Sequence, residues 1–177
     1  MPGSLLEQLW IRPGLRSDAA AIAHVHVESW QHVYRDLLPS GVLQRRTYAR
    51  RMLNWLQLLG SEPSSEVLVA ETGDGLVGFA SVGPNRVGHV GYGGEIYTLY
   101  MLPEAQGQGI GRCLFEAGRD LLRQQGHRGL IVWVLAGNPA AGFYARMGGR
   151  VIDRRKSRLD DATVREIAYG WPAITGN

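Results

Sequence analysis

The residues with the most chemical promise are Gln106-Gly107-Gln108-Gly109-Ile110-Gly111-Arg112, followed at once by an amphipathic stretch carrying Leu114, Phe115, Leu121 and Leu122. Bare glycines let backbone N–H groups approach a bulky anion, and a helix start adds roughly half a positive charge. The turn therefore suits a pyrophosphate, with a ligand-free strand-to-helix turn as the plainer alternative. Two familiar glycine loops are excluded. Counted from Gly107, a dinucleotide fingerprint needs glycine where Arg112 stands, and the nucleotide-hydrolase loop needs a Gly-Lys-Ser/Thr ending that is absent.

Other reactive side chains are sparse. Cys113, the single cysteine, excludes an internal disulfide, and a thiol near a helix start has a route to covalent acyl transfer, though packing beside Ile110 and Phe115 is the simpler role. His24, His26, His32, His89 and His127 show neither triad nor metal spacing, so no metal site is expected. The basic clusters at Arg45, Arg46, Arg50, Arg51 and at Arg154, Arg155, Lys156, Arg158 lack interleaved aromatics, so solvated faces are preferred to a nucleic-acid surface.

The elements that must position this chemistry are legible in outline. A short strand at 9–13 is stopped by Pro13, and Ser17 and Asp18 offer N-cap chemistry to a helix with Ile22, Val25, Val27, Trp30, Val33, Tyr34 and Leu37 at helical spacing. A second amphipathic stretch runs from Val42 to Leu59 and breaks in "GSEPSS". Two strands flank "GDG" at 73–75, a β-rich run "EIYTLYML" ends at Pro103, and a helix spans Gly109 to Gln125. The strand "GLIVWVLA", a short helix from Pro139 to Met147 and closing strands near "GRVID" and "VREIAYGW" complete the order β α α β β β α β α β β. With 177 residues, 45% hydrophobic, a net charge of +3, no repeat and no long linker, the chain reads as a single domain. The absence of a basic-then-apolar leader and of a long apolar run reads as cytoplasmic.

"EIYTLYMLPEAQGQGIGRCLFEAGRDLL" and the later "NPAAGFYARMGG" together resemble the two cofactor segments of the GCN5-related N-acetyltransferase superfamily, whose signature Gln/Arg-x-x-Gly-x-Gly/Ala falls here on Gln106-x-x-Gly109-x-Gly111. The resemblance covers most of residues 9–171. It implies an α/β (α+β) fold with a mixed, mostly antiparallel central sheet flanked by helices, and splayed parallel strands 4 and 5. It implies acetyl-CoA as co-substrate, with amides from Gln106 to Arg112 on the pyrophosphate and Leu99, Tyr100 and Met101 beside the pantetheine.

The same resemblance supplies roles for single residues. Tyr144 would protonate the departing thiolate, with core packing on Phe143 as its other role. Asn138 would hydrogen-bond the pantetheine, cap the short helix, or do both. Glu95 would be the base, acting directly or through water, with Glu28 and Glu104 as weaker candidates. At pH 7, deprotonation costs roughly 1.4 kcal/mol for an α-amine and roughly 4.6 for a lysine, so a base matters more for the lysine. Trp30 and Tyr34, four apart on one helix face, would wall an acceptor pocket or pack in the core. The acceptor that the resemblance implies is a primary amine, with a protein N-terminus, an aminoglycoside or other small amine, and a polyamine as candidates. A homodimer is compatible with the family and with the strand-rich C-terminus. The contrasting readings are a non-catalytic acyl-CoA-binding module and, more remotely, a nucleic-acid binder.

Overall fold

The computed structural model describes residues 5–60 and 66–174; most of the "GSEPSS" break and the extreme N-terminus lie outside these. A seven-stranded sheet forms the frame, in the order β1-β2-β3-β4-β5-β7-β6. Its strands are β1 (Trp10–Pro13), β2 (Glu66–Thr72), β3 (Gly75–Pro84), β4 (Gly94–Met101), β5 (Leu130–Leu135), β6 (Arg150–Leu159) and β7 (Ala162–Trp171). Every neighbouring pair is antiparallel except β4 and β5. The expected mixed, mostly antiparallel sheet with a parallel central pair is present.

Among the described residues, five α-helices cover its two faces: α1 (Ala19–Tyr34), α2 (Ser40–Gln44), α3 (Tyr48–Leu58), α4 (Ile110–Gln124) and α5 (Ala140–Arg146). On one side α1 and α3 bury Ile22, Val25 and Trp55 against Val67, Val69 and Phe79. On the other, Ile110 and Leu114 of α4 pack with Leu68, Val77 and Ala80, while Phe115 and Leu122 join Val132, Tyr144 and Trp171. The second amphipathic stretch is two helices rather than one, because Thr47 adopts an extended conformation and its side chain accepts from the Arg50 amide, starting α3 afresh. Asp18 does not cap α1. Its carboxylate turns back to accept from the Leu15 amide at 2.8 Å and from Arg12 Nη1 at 2.7 Å, tying the helix entrance to β1.

The functional geometry originates between β4 and β5. Gly94, Glu95 and Ile96 lie opposite Leu130, Ile131 and Val132, and there the pairing ends although both strands continue. On its other side β4 slips register against β3 between Ser81 and Val82, so that Ser81 faces Thr98 while Val82 faces Ile96, leaving Tyr97 as the extra residue. A bulge bends and twists its strand, and this one sits where β4 leaves β5. The two strands splay, and Tyr144 and Asn138, both buried, sit beside the gap. No helix among the described residues is long and apolar enough to cross a membrane.

Candidate active site

The glycine turn stands at the C-terminal end of β4. Gly107 and Gly109 have φ of 74° and 86°, the left-handed region that side-chain-bearing residues avoid, and Gly109 occupies the N-cap of α4. Gly111 lets the helix settle on β4, since a Cβ there would stand 2.9 Å from Cε of Met101. The first amide of this segment to find a backbone acceptor within the helix is that of Cys113, on the Gly109 carbonyl at 3.2 Å. Among the described residues, the amides of Gly107, Gln108, Gly109, Ile110, Gly111 and Arg112 have no acceptor. Such a run of unpaired donors at a helix start fits a pyrophosphate well. The side chains withdraw from the turn: Gln108 Nε2 donates to the Glu104 carbonyl at 2.7 Å, and Arg112 Nε pairs with Glu116 at 2.9 Å.

Past the turn, a small cavity of about 40 Å³ occupies the splay, lined by Tyr34, Leu99, Tyr100, Val134, Asn138 and Tyr144 among others. Asn138 is fixed by two bonds. Its Oδ1 accepts from the Ala140 amide at 2.8 Å, which leaves Nδ2 to donate to the Tyr34 hydroxyl at 2.9 Å. Trp30 Nε1 donates to the Tyr100 hydroxyl at 3.0 Å, and the Trp30 and Tyr34 rings lie 4.5 Å apart. These links join α1, β4 and the start of α5 across the wedge. The Tyr144 ring is wedged among Phe143, Phe115, Tyr169 and Trp171, yet its hydroxyl makes no hydrogen bond with the described residues. Burial, with a contribution from the Tyr100 phenol, pushes the Tyr144 phenol well above its ordinary value. Burial does the same to Tyr34 and Tyr100. All three remain protonated donors at neutral pH.

A larger hollow of about 290 Å³ lies on the α1 side of the sheet, walled by Trp30, Tyr34, Tyr97, Tyr100 and Trp133 and, from β6 and β7, by Arg155, Ser157, Leu159, Val164 and Glu166. It shares Tyr34, Tyr97, Tyr100 and Trp133 with the wedge, so the two spaces meet at an aromatic wall.

The sequence-derived site residues divide accordingly. Leu99, Tyr100, Asn138, Tyr144 and Tyr34 converge on the wedge, and Trp30 joins Tyr34 in the hollow. Met101 turns its side chain beneath α4, while its carbonyl accepts from Ser29 Oγ at 2.6 Å. Glu95 lies outside both spaces. Its carboxylate, 1% exposed, accepts from the Arg86 amide at 3.0 Å and from Arg86 Nη2 at 2.6 Å. Glu28 and Glu104 are exposed, and Cys113 is half-buried and belongs to none of the core clusters. The sequence does not single out Trp133, Arg155 and Glu166 as site residues. Strand alternation is the signal that points to them, since Trp133 and Leu135 share a face of β5, and Arg155 and Ser157 a face of β6.

The fold and this site define an acetyltransferase. A family model described as Acetyltransferase (GNAT) family matches residues 27–149, and the chain belongs to that family. It is 34% identical to the uncharacterised N-acetyltransferase YuaI of Bacillus subtilis, over 93% of this chain and 94% of that protein. A mycothiol acetyltransferase of an Arthrobacter species is 30% identical over 80% of this chain, which spans 38% of that longer protein. Among solved structures, the PaiA N-acetyltransferase of Thermoplasma acidophilum in complex with coenzyme A superposes with a TM-score of 0.71 at 21% identity, over 92% of this chain and 99% of that one. YncA of Salmonella typhimurium, solved with its cofactor acetyl-CoA, superposes at 0.67 and 22% identity, over 96% and 95% of the two chains.

Proposed function

We propose that the protein transfers the acetyl group of acetyl-CoA to a primary amine by direct attack within a ternary complex. The observation that carries this reading is that, among the described residues, the amides from Gly107 to Arg112 have no acceptor and the Tyr144 hydroxyl beside the splay has no hydrogen-bond partner. In this reading the amides hold the pyrophosphate, and the strand edge at Leu99, Tyr100 and Met101, with Asn138, takes the pantetheine arm. Tyr144 then meets the sulfur. Since burial raises its phenol far from a thiol value near 8.5, Tyr144 acts first as a hydrogen-bond donor to the developing thiolate. The amine attacks across the aromatic wall shared by wedge and hollow. The hollow's walls fit its carrier.

The proposal leaves Glu95 out of proton transfer, because its carboxylate lies outside both spaces and already accepts three hydrogen bonds from Arg86. Acetyl-CoA titrated calorimetrically, followed by thiol release with a panel of amines, tests the whole. Binding plus turnover, with kcat lowered about 100-fold in Tyr144→Phe, is the expected result. Failure to bind acetyl-CoA at millimolar concentration overturns it, and binding without turnover of any amine leaves the acyl-CoA-binding module.

A further inference from the structure

Resting on that reading, we infer that the acceptor is a small amine that also carries a carboxylate, an α-amino acid with an apolar or aromatic side chain, and that Arg155 is the residue that reads the carboxylate. The inference comes from how Arg155 is held. Its Nε donates to Glu166 Oε2 at 2.7 Å, and its guanidinium lies 3.9 Å over the Trp133 ring. Both attachments leave the far edge of the fork unused, since neither Nη has a hydrogen-bond partner among the described residues. An arginine pinned by one N–H and by stacking keeps its paired NH₂ groups aligned for bidentate capture of a carboxylate at little further entropic cost. The residue lines the hollow from β6, as Trp30 and Tyr34 line it from α1.

The surrounding charges agree. Glu166 and Asp160 are each paired with an arginine, Arg155 and Arg46. Arg46 lies 5.0 Å from the Trp30 ring, Arg158 contributes to the lining, and Arg46 and Arg51 both act electrostatically on Tyr100. Cations outnumber anions around the hollow, which repels a polyamine or aminoglycoside and attracts a carboxylate. Its volume and five aromatic walls suit a small body with apolar surface.

The test compares L-phenylalanine, L-phenylalaninamide and spermidine by thiol release, and by calorimetric titration into the coenzyme-A-saturated protein. L-phenylalanine is expected to show kcat/KM at least tenfold above its amide, although the amide's amine is the less basic and the more available as a free base. Arg155→Ala should raise KM for L-phenylalanine tenfold or more with little change in kcat and bring the acid-to-amide ratio towards one, and Arg155→Lys should restore part of it. Acetyl-CoA affinity serves as the folding control. Equal or better use of the amide or spermidine, an Arg155→Ala effect identical for acid and amide, or no binding of L-phenylalanine to the coenzyme-A-saturated protein overturns the inference. Loss of acetyl-CoA binding in the parent protein would instead overturn the acetyltransferase reading.

Discussion

Single side chains in this protein divide by what their polar atoms already hold. Tyr144 keeps its hydroxyl without a hydrogen-bond partner among the described residues, inside a packed aromatic cluster, whereas Glu95 spends its carboxylate on Arg86. Replacing Glu95 with Gln removes a charge-assisted acceptor from a fully buried position, and we expect a loss of about 1–3 kcal/mol of stability, measured by urea unfolding. The pH profile of kcat/KM should keep its shape. Loss of the acidic limb together with a 100-fold fall in rate would instead make Glu95 the base. Position along the chain is enough to make Tyr144 and Asn138 legible, because the motif "NPAAGFYARMGG" fixes them relative to the short helix. The meeting of Arg155 and Trp133 beside the hollow is hidden in the sequence, because it depends on a hairpin and a neighbouring strand brought together only by the sheet. The polarity of Arg155 also disguises it as part of a solvated cluster.

Elements behave differently, and helix α1 illustrates how. Its apolar spacing predicts a buried stripe through Val27, Val33 and Leu37, yet these are half-buried or exposed, while polar His26 and Ser29 are buried. Each polar residue has a partner that the sequence cannot show: Trp55 Nε1 donates to His26 Nδ1 at 3.2 Å, and Ser29 donates to the Met101 carbonyl. Burial, aided by Arg51 and Arg46, depresses His26 to about 3. The unfolded imidazole, near 6.5, binds its proton first as pH falls, so stability is full above that value and declines between about 6.5 and 3. This site contributes a slope of up to roughly 1.4 kcal/mol per pH unit. His26→Gln, which keeps an acceptor for Trp55, should flatten the dependence of the urea midpoint on pH across that window. An unchanged slope would mean that the imidazole is not buried neutral. The glycine turn of α4 is legible because only its local backbone matters. Gly109→Ala forces a side chain into φ of 86° and a methyl to within 3.3 Å of Leu6, so a loss of about 1–2 kcal/mol with weaker acetyl-CoA binding is expected by thermal denaturation and calorimetry.

At the scale of the molecule, the sheet is left incomplete at its centre. β4 and β5 continue beyond Ile96 and Val132, each paired with its outer neighbour but not with the other, so a gap opens between them. The order of elements can be read along the chain, but the sheet order β5-β7-β6 and the divergence of β4 from β5 depend on pairings between distant segments. Only family resemblance conveys these. The charged clusters likewise change meaning in three dimensions: Arg45 and Arg46 hold Asp161 and Asp160 at the β6–β7 turn, which ties α2 to the far edge of the sheet. A ligand that inserts between the diverging strands and binds only the folded state adds RT ln(1 + [L]/Kd) to stability. At a hundredfold excess over Kd, acetyl-CoA should add about 2.7 kcal/mol and raise Tm by about 5–11 °C. Adenosine 3′,5′-bisphosphate, which lacks the pantetheine arm, should shift Tm far less at the same concentration, because a single phosphate then meets the turn and the strand edge of β4 goes unused. An equal shift from that fragment would show that the splay between β4 and β5 does not take the arm, and would relocate the cofactor away from Asn138 and Tyr144.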